Sequence, residues 1–169
     1  MISSFWQRTC FLFAALSFCL SLSSDEPKKY LPSHLMVGPG IFDVDQDHPR
    51  AMGQIEYRWQ IRNGRWRPLT SFFITTDGNF FICGGIGYDI RLGRRLMLTP
   101  SFSPGLYYHA HGKNLGFPIN FRSAMDLAYV FNNKGRIGAQ FNHISNARML
   151  RRNPGADSLF IYYAIPIPQ

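Results

Sequence analysis

The sequence predicts an all-β fold, an eight-stranded antiparallel transmembrane β-barrel of the outer-membrane type. Three observations predict it. Segments of about ten residues or more alternate between large apolar and small or polar side chains, the length a tilted strand needs to cross a membrane. The polar sides are rich in Gly, Ala and Ser and carry charges of both signs, which suits a narrow filled lumen better than a wetted surface. Past residue 30, no apolar run approaches the about 20 residues of a membrane helix.

The first segment stands apart from this pattern. Residues 1–23 place one positive charge, Arg8, before an apolar stretch from Cys10 to Leu22, with small residues at Ser21 and Ser23. That is the layout of an export signal cleaved near Ser23. The stretch is short and interrupted by Ser, which disfavours the alternative of a retained helical anchor. Phe18, bulky and directly before Cys19, argues against a lipidated N-terminus. Residues 24–169 then form a single barrel domain behind a loose leader, Ser24–Ser33. Of three cysteines, Cys10 and Cys19 leave with the signal. Cys83 has no partner for a disulfide and reads as a small packing residue among glycines.

Eight strands are expected near 35–45, 52–62, 67–76, 79–91, 95–108, 118–131, 135–145 and 157–166. In the second, Ile55, Tyr57, Trp59 and Ile61 oppose Gln54, Glu56, Arg58, Gln60 and Arg62. In the fourth, Phe80, Ile82, Ile86, Tyr88 and Ile90 oppose Cys83, Gly85, Gly87, Asp89 and Arg91. In the fifth, Leu96, Leu98, Phe102, Leu106 and Tyr108 oppose Thr99, Ser101, Ser103 and Gly105. In the sixth, Ile119, Phe121, Met125, Leu127, Tyr129 and Phe131 oppose Asn120, Arg122, Ala124, Asp126 and Ala128. Successive strand side chains point to opposite faces, so each segment is a ribbon with one greasy side. A soluble sandwich or lipocalin would turn that side inward. A membrane barrel turns it outward to lipid and fills its lumen with the other.

Turn residues separate the segments: Arg62-Asn63-Gly64, Thr76-Asp77-Gly78-Asn79, Leu92-Gly93-Arg94 and Asn132-Asn133-Lys134-Gly135. With both termini periplasmic, the connections at 46–51, 77–78, 109–117 and 146–156 face outward. Trp59, Trp66, Tyr57, Tyr107, Tyr108 and Tyr129 are the expected interfacial aromatics. Lys and Arg number 18 against 10 Asp and Glu, a formal +8. For an exported chain this excess points to anionic headgroups, not nucleic acid.

Chemistry concentrates in Gly138-Ala-Gln-Phe-Asn-His143-Ile-Ser145-Asn-Ala-Arg. The lipid-facing register runs Ala139, Phe141, His143, Ser145, so an imidazole and a hydroxyl share the outer face, about 7 Å apart at the backbone. Unsatisfied polar groups in hydrocarbon are costly, so the pair requires an explanation. One explanation is that the strand leaves the membrane there and both are interfacial. Another comes from Asp157, the only acid after Asp126, which shares the parity of Leu159, Ile161, Tyr163 and Ile165 on the next, antiparallel strand. A nucleophile, a base and an orienting carboxylate in phase at one membrane depth are the parts of a hydrolytic triad. His109 and His111 share a face but lack an acidic or Cys partner nearby, so no metal is expected. Gly84-Gly85-Ile-Gly87 fits strand packing, since no helix follows to complete a phosphate loop.

The block His143-Ile-Ser145-Asn146-Ala147, then Asn153-Pro154-Gly155, then Leu159-Phe-Ile-Tyr-Tyr-Ala-Ile-Pro166, resembles the lipid A 3-O-deacylases, the PagL type, over roughly residues 136–166. The resemblance implies hydrolysis of the ester-linked 3-hydroxyacyl chain at position 3 of lipid A. Its implied catalytic residues are Ser145, His143 and Asp157, with Asp standing where the family has Glu. It further implies that Asn153, Asn146 and Ala147 support an oxyanion site. Arg148, Arg151 and Arg152 are candidates for the substrate phosphates, or for anionic headgroups in general. No cofactor is implied. The expected partners are lipopolysaccharide as substrate, outer-membrane lipid and a second copy of the chain in a homodimer, with no nucleic acid. The expected location is the outer membrane of a Gram-negative bacterium. Two other functions fit the same pattern: a non-enzymatic structural, adhesive or lipid-binding barrel, and a phospholipase-type esterase.

Overall fold

Alternation at period two yields strands, and strands in lipid must pair on both edges. The computed structural model, which describes residues 32–45, 49–61, 64–149 and 153–168, meets that demand by closing the sheet on itself. Its strands are β1 (Ser33–Phe42), β2 (Arg50–Arg58), β3 (Trp66–Thr75), β4 (Phe80–Tyr88), β5 (Ile90–Leu92), β6 (Leu96–Tyr108), β7 (Ile119–Val130), β8 (Arg136–Ser145) and β9 (Ala156–Ile167). Each pairs antiparallel with its neighbours, and β1 joins β9. Both β4 and β5 pair with β6, so they are two pieces of one stave and the nine segments make eight staves. The expected export signal, residues 1–23, lies outside the described residues.

The stave expected over 79–91 breaks at Asp89. Its backbone N–H donates to Arg65 O at 2.8 Å, outside the β4–β6 ladder, while its carboxylate turns into the lumen. Ile90, expected on lipid, is correspondingly covered, at 6% exposure.

The faces are assigned as a membrane barrel requires. Ile55, Ile82, Leu106, Met125, Leu127 and Ile161 are exposed, while Glu56, Arg58, Arg67, Asp89, Arg122, Asp126 and Arg136 are buried. Buried charges persist only when paired. Glu56 takes Arg58 Nε at 2.7 Å and Arg122 Nη2 at 2.6 Å, and Asp126 takes Arg58 Nη1 at 2.5 Å and the Tyr162 hydroxyl at 2.6 Å. Nearer the end where β1 starts and β9 finishes, Asp89 binds Arg67 and Arg136, both at 2.9 Å, and Thr99 donates to it. Small inward residues make room: a Cβ on Gly85 would lie 2.1 Å from Phe102 O.

The outer end of the lumen is different in kind. Phe42, Met52, Phe73, Phe81, Tyr107 and Ile144 gather there with Leu115, which the loop after β6 inserts into the mouth. Tyr107 thus corrects an expectation. It is inward and 6% exposed, not interfacial, and its hydroxyl donates to Lys113 O at 2.8 Å. Its parity with Ser103 and Gly105 requires that face. Lys113 in turn pairs with Asp43 at 2.5 Å, fixing the loop across the barrel. Cys83 packs in this cluster, buried and free.

Candidate active site

The site is built where β8 ends and β9 begins. Antiparallel register sets His143 directly opposite Asp157. Both side chains take the outward parity, with side-chain exposures of 50% and 31%. His143 Nδ1 lies 2.7 Å from Asp157 Oδ1. A carboxylate only accepts, so Nδ1 carries a proton, and in the neutral ring Nε2 is then the acceptor. The imidazole points away from the barrel axis, as a site reached from lipid requires.

Ser145 lies two residues along β8 on the same face, half-buried opposite Phe121 of β7. Among the described residues no hydrogen bond joins its hydroxyl to His143. Catalytic hydrogen bonds often tighten only once substrate is bound.

Immediately after Ser145 the chain makes a strained turn. Ala147 and Arg148 have φ of 51° and 60°, and Met149 N donates to Asn146 O at 3.0 Å. Two successive left-handed non-glycine residues closed by an i to i+3 bond resemble a type I′ turn, which ordinarily favours Asn and Gly. Asn146 is the pin that holds it. Fully buried, it donates from Nδ2 to Leu115 O at 3.0 Å and accepts at Oδ1 from Arg148 N at 3.0 Å. Its backbone N–H donates to Asn153 Oδ1, also at 3.0 Å. That last contact has two consequences. The Asn146 N–H is spent and cannot serve an oxyanion. Asn153 is oriented, with its carbonyl oxygen taken and its NH2 turned the other way.

Gly155 completes the geometry and was given no role from sequence. With φ of +62° it lies against the imidazole, and a Cβ there would be 3.2 Å from His143 Cε1. Its place in Asn153-Pro154-Gly155 was the available signal, but only the closed sheet shows which ring it touches. Of the basic candidates, Arg148 is exposed beside the site, and Arg151 and Arg152 lie outside the described residues. His109 and His111 stand exposed at the start of the mouth-closing loop.

A family model described as lipid A 3-O-deacylase (PagL) matches residues 42–166. No curated protein matches the chain. A solved structure described as the outer membrane enzyme PagL is similar at 18% identity and a TM-score of 0.63, over 79% of this chain and 99% of that one. Neisserial surface protein A is similar at 10% identity and a TM-score of 0.55, covering 80% and 97%. The Yersinia pestis outer membrane protein Ail follows at 15% identity and a TM-score of 0.51, covering 79% and 99%. At these identities the structural likenesses speak for the fold, an outer-membrane type of β-barrel.

Proposed function

The chain belongs to the lipid A 3-O-deacylase (PagL) family of hydrolases, and from that premise we propose that it removes the 3-O-linked 3-hydroxyacyl chain of lipid A by a Ser-His-acid mechanism. The Ser145 hydroxyl attacks the ester carbonyl carbon as His143 Nε2 accepts its proton. Asp157 holds the ring in the Nδ1–H tautomer and stabilises the imidazolium. Collapse of the tetrahedral intermediate expels the sugar 3-hydroxyl, which takes the proton back from His143. Water, deprotonated by the same imidazole, then releases the fatty acid from Ser145. The Ala147 N–H and Asn153 Nδ2 are the assigned oxyanion donors, since the Asn146 N–H is already engaged.

The single observation carrying this reading is the 2.7 Å His143–Asp157 contact on the lipid-facing wall, with a hydroxyl two residues away on the same face. A site outside the barrel fits a substrate that is itself a membrane lipid and arrives by lateral diffusion. The same reading includes an export signal over residues 1–23, an outer-membrane location, a homodimer and pairing of Arg148 with anionic headgroups.

Expression in a Gram-negative host with mass spectrometry of its lipid A tests it. Loss of one hydroxyacyl mass, abolished by Ser145→Ala, is the expected result. An unchanged profile from a folded, membrane-inserted barrel would instead favour a non-enzymatic role. Release of fatty acid from glycerophospholipid with lipid A intact would favour a phospholipase.

A further inference from the structure

On β7 the outward register runs Ile119, Phe121, Ser123, Met125, Leu127, Tyr129, and one polar side chain interrupts it. Ser123 is exposed on the lipid-facing wall, and its hydroxyl has no hydrogen-bond partner among the described residues. Register places it directly opposite His143 on β8 and opposite Phe102 on β6. A row of Ser123, His143 and Asp157 therefore crosses three strands at one depth. Facing residues in such pairs have Cβ atoms about 4.5–5.5 Å apart. Ser145 sits one rung nearer the outer rim, about 7 Å along the strand.

Neither imidazole nitrogen requires this second hydroxyl. Nδ1 is held by Asp157, and the proposed mechanism reserves Nε2 for the Ser145 proton. A serine left unpaired at this depth costs free energy that an Ala would not, and the strand would form with either. What it faces is the path of the substrate. With the ester carbonyl at Ser145, the apolar chain must run down the wall, away from the rim and past the His143 rung toward Met125 and Phe141. The carbon bearing the 3-hydroxyl is two bonds beyond the carbonyl carbon, so it meets that rung first. A hydroxyl there finds Ser123, whereas a methylene leaves Ser123 stranded.

We propose that Ser123 is a specificity-determining residue whose hydroxyl hydrogen-bonds the 3-hydroxyl of the departing acyl chain, selecting 3-hydroxyacyl esters over unsubstituted ones. This rests on the deacylase reading above. The test uses the purified full-length barrel in detergent micelles with two matched probes, the p-nitrophenyl esters of 3-hydroxydecanoic and decanoic acid. Wild type is expected to prefer the hydroxylated probe in kcat/KM. Ser123→Ala is expected to lower that preference about three- to tenfold, the worth of one net hydrogen bond, through the hydroxylated probe only. Ser123→Thr, which keeps the hydroxyl, is expected to retain most of the preference.

An unchanged ratio in Ser123→Ala overturns the proposal. So does an equal loss on both probes, which would make Ser123 a positioning residue for His143. Wild type without preference, yet with hydrolysis abolished by Ser145→Ala, overturns this inference and leaves the deacylase reading standing. Absence of Ser145-dependent hydrolysis of both probes overturns the two together.

Discussion

The barrel keeps polar groups in two places where hydrocarbon chemistry disfavours them, and it treats them in opposite ways. In the lumen, Glu56, Asp126 and Asp89 each bind at least one arginine and are shielded on every side. On the outer wall, His143 and Asp157 form one contact and remain open to the surroundings. A network in which every buried carboxylate meets an arginine holds its own geometry and resists change. A half-satisfied pair leaves Nε2 without a partner among the described residues, and the proposed mechanism needs such an acceptor. The contrast predicts that substitutions in the lumen damage stability with little effect on chemistry, while those on the wall do the reverse.

The largest effect expected is on the wall. Ser145→Ala is predicted to reduce deacylation of lipid A in micelles by about 10⁴-fold or more, because nothing replaces the proposed nucleophile. The midpoint of heat-modifiable gel migration should stay at the wild-type value. A shifted midpoint would mean that Ser145 also supports the fold, and the division between the two regions would be lost.

In the lumen, Asp89→Asn leaves Arg67 and Arg136 without their anion. Uncompensated buried charge of this kind costs about 3–5 kcal/mol. Urea unfolding of the lipid-reconstituted barrel should register that loss, with turnover per folded molecule staying within about twofold of wild type. Wild-type stability in this variant would show that water or other partners reach the arginines.

Between these extremes lies Asp157, the proposed orienting carboxylate. Asp157→Ala is predicted to lower kcat about 10²–10³-fold by freeing the imidazole tautomer. Asp157→Glu, which restores the family's usual acid, should keep or raise the rate. Equal rates in all three proteins would remove Asp157 from the mechanism.

Which face each residue takes was legible from parity, because a two-residue period allows only two answers. Parity placed Glu56, Arg122 and Asp126 inward, and His143, Ser145 and Asp157 outward in phase. The same rule requires Tyr107 inward, although its aromatic character suggested the interface. Parity does not report height along the barrel axis. The division of the lumen into a charged lower part and an apolar mouth of Phe42, Phe73, Phe81 and Leu115 depends on stagger and on loop closure. The same limit hid the pin at Asn146, whose partners Leu115 and Asn153 come from two separate loops. The break at Asp89 was hidden because a local run of alternating residues carries no mark of a distant arginine pair.

Two loop residues sharpen the comparison at smaller scale. Gly155→Ala puts a methyl group 3.2 Å from His143 Cε1 at a backbone angle that L residues rarely adopt. A ring displaced by a fraction of an ångström should lower kcat about tenfold and leave KM nearly unchanged. The left-handed Ala introduced there adds about 1–2 kcal/mol of strain, visible as a modest fall in the urea midpoint. A normal kcat with the lower midpoint would show that the imidazole has room to yield.

The smallest expected effect concerns Ala147, which holds φ of 51° without the freedom of glycine. If that strain is incidental, Ala147→Gly should raise stability by about 1 kcal/mol and leave turnover unchanged. If the strain fixes the direction of the Ala147 N–H toward the developing oxyanion, the same variant gains stability and loses about two- to threefold in kcat. The second outcome is the one expected, because Asn146 spends every polar group it has on holding this turn, and a turn held that firmly keeps a donor where substrate needs it. Paired urea unfolding and deacylation assays on the one variant separate the two cases. A gain in stability together with full activity would class the turn with the lumen network, as structure and not chemistry.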